Sequence, residues 1–320
     1  MNRLPNPPKV PCISAAETRA KAGFKLRAAV QACLVVATTM AIGMRVSADE
    51  TAAVRSLLRA DACQDACCTG GQDRPAHNVI VFGTDAVRGR TIRDHAEAMR
   101  REAFATLLGE AEPRPWVAAC EIHVHATAEA FAAAVGGPPV DARGATSLDF
   151  LGDTAVSRRI DVMGDGPDVI PDSLDHELVH VVLADHFVHA PPPRWADEGL
   201  ALLFDSPEKQ RAHQSDFHDA IRRGLALSPA DLVSLEEYPD DGGRQRIFYG
   251  QSAALVRWLV ARRDAATFIR FIDDSAAIGI EAALQRHYAL DSLVSVTSAW
   301  KEVAPINSLG LADLRRERLP

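Results

Sequence analysis

The chain has 320 residues, 47% of them hydrophobic and 24% charged, with 35 Lys and Arg against 43 Asp and Glu, a formal charge of −8. That length holds one large or two small domains, and the composition excludes a disordered, collagenous or coiled-coil chain. The acidic balance argues against nucleic acid and anionic lipid as partners, because both present phosphate.

Residues 1–27 carry Arg3, Lys9, Arg19, Lys21, Lys25 and Arg27 against Glu17 alone. Residues 28–44, AAVQACLVVATTMAIGM, then run without a charge. A basic leader, an apolar stretch and small residues before Asp49 form the pattern of an export signal cleaved after Ala48. The alternative is an uncleaved anchor, although seventeen residues fall short of the ~20 that span a bilayer. The expectation is a periplasmic, cell-envelope or secreted protein, or one tethered to a membrane by residues 1–48. Removing that segment takes away seven basic residues and one acid, leaving 28 and 42, a formal −14.

Residues 49–76 form a Cys-containing extension. Outside the leader stand Cys63, Cys67, Cys68 and Cys120. A ring between the adjacent Cys67 and Cys68 is strained, which leaves two connectivities. A bridge from ACQDACC to Cys120 would pin the extension to the domain that follows.

That domain, residues 77–304, begins as a sheet. HNVIVFG (77–83) and WVAACEIHVHA (116–126) read as strands, and GATSLDFLG with SRRIDVMGD reads as two more joined around Asp153. Residues 86–109 and 128–136 have helical spacing between them. His123 and His125 alternate on one strand face, and with no third ligand nearby they read as ordinary surface histidines. From residue 170 onward the apolar segments are helical, so the fold class is α+β, a mixed sheet with packed helices followed by a helical half. His213 and His218, five apart, fall on different helical faces, and LRRERLP (305–320 region) reads as a solvated tail.

The helical half opens with PDSLDHELVHVVLADHFVHAPPPRWADEGLALLFD, residues 171–205. His176 and His180 lie one helical turn apart, about 40° around the axis, so both imidazoles can reach one cation. Glu177, next to His176, can take a proton from water on that cation. His-Glu-x-x-His alone is a weak signal, and the third ligand decides its meaning.

His186 has the spacing of a metzincin third ligand, but that pattern needs Gly at the position of Leu183 and a Met-turn downstream. The last methionine is Met163, upstream of the motif. On a continuous helix, His186 is rotated about 240° from His180 and faces away. Glu198 is different. Pro191 to Pro193 allow the chain to reverse, and Trp195, Glu198 and Leu202 then share one stripe of the next helix. A carboxylate facing a core needs a partner or a metal, Gly199 beside it permits close helix approach, and His₂Glu with an open position is a catalytic zinc set.

With those residues in place, the sequence resembles the gluzincin branch of zinc metallopeptidases. HELVHVVL, PRWADEGLA and FYGQSAALVRWLV are similar to exported bacterial domains called peptidase MA-like, over about residues 77–300. The resemblance implies a zincin-like fold and peptide-bond hydrolysis in a peptide or protein substrate. It implies His176, His180 and Glu198 as Zn²⁺ ligands and Glu177 as general base. It also implies a tyrosine assisting the developing oxyanion, matched here by Tyr249, for which a core or helix-capping role fits equally. Several gluzincins place an Asp four residues after the Glu ligand. Leu202 stands there, leaving Asp172, Asp205 or a backbone carbonyl to orient a ligand histidine. Related enzymes hold an extended peptide on a sheet edge, a role that falls to SRRIDVMGD.

A second reading keeps zinc without catalysis, as a binding or envelope-assembly module tethered by the N-terminal segment. No G-x-S-x-G, P-loop or dinucleotide fingerprint occurs, so serine hydrolase, kinase and dehydrogenase chemistry have no footing.

Overall fold

The computed structural model describes residues 78–136, 142–164 and 170–303, with backbone alone for 300–303. The leader 1–48, the extension 49–76, the tail from 305 and the side chain of Trp300 lie outside the described residues.

Strand β1 (Val79–Phe82) leads into helix α1 (Ala86–Ala103), whose first turn is capped by Asp85 Oδ1 accepting from Val87 N and Arg88 N at 2.8 and 3.0 Å. The helix widens into one five-residue turn, Phe104–Leu108, and stops at Gly109, where φ is 72° and a side chain would be strained. Then follow β2 (Cys120–His125), α2 (Ala128–Val135), β3 (Gly144–Leu151) and β4 (Thr154–Met163). The sheet order is β1-β2-β4-β3, with β1, β2 and β4 parallel and β3 antiparallel to β4. On β2, Cys120, Ile122 and Val124 point into the core, while Glu121, His123 and His125 take the opposite face.

The helical half comprises α3 (Leu174–His186), α4 (Arg194–Ala201), α5 (Pro207–Arg222), α6 (Pro229–Val233), α7 (Gly242–Arg262), α8 (Ala265–Ile278), α9 (Ile280–Tyr288) and α10 (Leu293–Val303). The protein is therefore α+β, a small mixed sheet followed by helices, as the pattern of its apolar residues leads one to expect. Helix α3 lies between sheet and helices, so Leu174, Leu178, Val179, Val181, Val182 and Leu183 are all buried. Its far end is tied to β4 by Arg158 Nη2 donating to Asp185 Oδ1 at 2.6 Å. No helix among the described residues is long and apolar enough to cross a membrane.

Two expectations need correction, and a third falls partly outside the described residues. SRRIDVMGD is β4, which pairs on both sides and cannot be an edge; Ile160, Asp161 and Val162 are buried in succession. The edge next to α3 is β3, whose carbonyls and amides on the side away from β4 are unpaired by the sheet. Cys120 is a thiol wholly buried on β2, its pKa pushed up to about 12 by that burial, and the cysteines expected to bridge to it, Cys63, Cys67 and Cys68, lie outside the described residues. Tyr249 lies inside α7 and cannot cap it, since α7 starts seven residues earlier at Gly242, where Asp241 Oδ1 accepts from Gly243 N and Arg244 N.

Candidate metal centre

Helix α3 continues unbroken to its last residue, His186, whose Nε2 pairs with Asp273 Oδ2 of α8 at 2.9 Å. The rotation of a continuous helix thus carries His186 away from the other two histidines. His176 and His180 stack edge to face, ring centroids 4.8 Å apart. The chain turns at Pro191 to Pro193, and α4 brings back Trp195, Glu198 and Leu202 on its buried side. Trp195 anchors this helix edge-on against Phe268, centroids 5.8 Å apart. Gly199 is required for the approach of α7, since a Cβ there would sit 2.4 Å from Val256 Cγ2 and 2.8 Å from the Ser252 carbonyl oxygen.

The result is one carboxylate oxygen shared by two imidazoles. Glu198 Oε2 lies 3.3 Å from His176 Nε2 and 3.8 Å from His180 Nε2. Ligand-type atoms of His176, His180 and Glu198 all fall within 4.8 Å of one another. Each ligand is also gripped from behind. Asp197 Oδ1 lies 3.0 Å from His180 Nδ1, Asp205 Oδ2 lies 3.5 Å from His176 Nδ1, and the Tyr238 hydroxyl donates to Glu198 Oε1 at 2.5 Å. Asp205, not Leu202, is thus the residue beside His176 Nδ1. Asp172 stands one step further out, sharing Lys209 with Asp205 at 3.2 and 3.8 Å.

The electrostatics record the same convergence. Burial pulls both imidazoles down, but Asp205 and Glu198 hold His176 well above its ordinary value and Asp197 with Glu198 raises His180 to about 9. Burial pushes Glu198 up, and the two histidines and Tyr238 overcome this and lower it to about 2. Acid and base are thus matched across the site, and a dication held by three donors would take the place of those protons. The donor set, the inward Nε2, Nε2 and Oε2 atoms and the outer grips all fit such an ion.

Glu177 turns to the other side, onto the edge strand. Thr146 of β3 donates to Glu177 Oε2 at 2.6 Å, its hydroxyl lying also 3.2 Å from the Glu177 carbonyl oxygen. A Cβ on Gly144 would meet Glu177 Oε1 at 2.4 Å, so the strand has room for this carboxylate only because residue 144 is glycine. Tyr249, inside α7, is pushed up first by burial and then by the charges of Glu198 and Glu177, and its hydroxyl is engaged by no hydrogen bond among the described residues. The His213 ring lies 6.2 Å from that of Tyr249, centroid to centroid, and burial lowers its pKa.

All five candidates, His176, Glu177, His180, Glu198 and Tyr249, therefore gather in one place, while His123, His125 and His186 stay apart with their own carboxylates. Among the described residues no other such group of ligand-type side chains occurs. Sequence reasoning missed Tyr238, Asp197 and Thr146; only Asp197, beside Glu198, carried any local hint. Compared with known proteins, the chain matches no family model and no curated sequence.

Proposed function

We propose that this protein is an exported zinc metallopeptidase of the gluzincin type, with a zincin-like fold, hydrolysing peptide bonds in a peptide or protein substrate. One observation carries the reading: Glu198 Oε2 is shared by His176 and His180 while the intervening Glu177 packs on β3, the edge strand of the sheet. His176, His180 and Glu198 would hold the zinc, which would supply Lewis acidity towards a carbonyl and a water. Glu177 accepts the proton of the attacking water and returns it to the leaving amine. Thr146 and Gly144 hold that carboxylate against β3, and the free edge of β3 offers backbone pairing to an extended peptide. The unengaged hydroxyl of Tyr249 donates to the oxyanion. The basic leader and apolar residues 28–44 support export.

The test is Glu177→Gln in the full chain, assayed on a peptide library with zinc content measured alongside. Zinc stays and cleavage falls by roughly 10²–10⁴-fold, the usual weight of a general base. Unchanged turnover sinks the mechanism. Zinc retained with no peptide cut by the wild type leaves the non-catalytic zinc module.

A further inference from the structure

The two oxygens of Glu198 have different neighbours. Oε2 faces both histidines, and Oε1 accepts the Tyr238 hydroxyl. A carboxylate with both oxygens free can give a cation one or both; one whose second oxygen is already hydrogen-bonded gives one. We infer that Tyr238 is a positioning residue that commits Glu198 to single-oxygen ligation, so that the three side chains take three positions of a four-coordinate site and water the fourth. This rests on the metal-site reading above and adds to it a residue outside the ligand set.

The phenol is built into place rather than merely nearby. Arg194 and Glu198 are four apart on α4 and so share one face. The Arg194 guanidinium carbon lies 4.5 Å from the centroid of the Tyr238 ring while Glu198 takes the hydroxyl, so one turn of helix grips both parts of the side chain. Arg194 Nε also donates to the Glu236 carbonyl at 3.1 Å, tying down the loop that carries the ring. Phe248 meets the ring edge-on at 5.9 Å, and Gln245 Nε2 donates to the Pro239 carbonyl at 2.8 Å. Tyr249, its hydroxyl free of such a bond, is the natural comparison.

The experiment uses the full chain as wild type, Tyr238→Phe and Tyr249→Phe. Zinc affinity is measured by chelator competition, and the cobalt(II) forms are read by the intensity of their visible bands, which falls as coordination rises from four to five. Tyr238→Phe retains the ring and its contact with Arg194, and the metal-free chain still folds, with a melting temperature lowered by the lost hydrogen bond. It weakens zinc binding roughly 10- to 100-fold, the usual effect of losing a partner behind a ligand, and dims the cobalt bands as Glu198 turns both oxygens to the metal. Tyr249→Phe leaves affinity and spectrum at wild-type values. Wild-type affinity and spectrum in a folded Tyr238→Phe overturn the assignment and leave the metal site standing. A wild type that takes up no zinc overturns the metal site and this assignment together.

Discussion

Two pairs of histidines, on β2 and on α3, show what separates a ligand set from a coincidence of residue types. His123 and His125 share a strand face, and each is near a carboxylate: Glu121 at 3.1 Å and Asp161 at 2.7 Å. Each ring keeps a private acid, and Phe82 covers His123 with its centroid 4.8 Å away. His176 and His180 meet the same acid, and each has a second carboxylate behind it. The lesson is that convergence on a shared oxygen, with the remaining ring nitrogen gripped, marks a candidate cation site, whereas a count of histidines and acids does not.

The strongest way to break this comparison is to remove the shared oxygen. Glu198→Ala, His176→Ala or His180→Ala should abolish zinc uptake in elemental analysis of the full chain. His123→Ala, His125→Ala and His186→Ala should each retain one zinc; loss of zinc in His186→Ala would mean that the metal is held by a different set. Next in size is Gly144→Ala. The new methyl meets the Glu177 carboxylate, and a displacement of about 1 Å at a reacting group costs around 10²-fold in rate. Peptide turnover should fall by that amount with zinc content intact, and a wild-type rate would show that Glu177 works from another position.

Asp197→Ala sharpens the comparison from behind the ring. It frees His180 Nδ1 and should weaken zinc about tenfold by chelator competition, the lower end for an outer partner because Asp197 is partly exposed. The smallest effect belongs to the strand pair. Burial raises the Asp161 carboxyl, but Arg159 and His125 outweigh it and hold it below its ordinary 3.8. A lowered carboxylate adds stability above the unfolded value and loses it as pH falls through the folded one. The acid side of a thermal-stability profile, below about pH 4, should therefore flatten in Asp161→Asn. The loss at neutral pH is about 1 kcal/mol, because Arg159 is well exposed and screened.

Much of the fold and the ligand set was legible because it is local. The unbroken apolar run after His180 carries the helix to His186, and the stripe Trp195, Glu198, Leu202 with Gly199 beside it announces a buried acid on a closely packed helix. What stayed hidden depends on how distant segments meet. Thr146 lies 31 residues before Glu177, and Tyr238 lies 40 after Glu198 in a loop with no periodicity. Strand order misled for the same reason: alternation along SRRIDVMGD says that it is a strand, not which strands flank it.

The hairpin joining β3 to β4 turns at Gly152, which takes a φ of 57°. That turn lies six residues beyond Thr146 on an extended strand, about 20 Å at ~3.3 Å per residue. Length and composition can therefore drift at the tip without disturbing Gly144 or Thr146 at the root. A fluorophore placed in this hairpin would ride on the strand proposed to meet the peptide, giving an optical handle on occupancy placed away from Gly144 and Thr146.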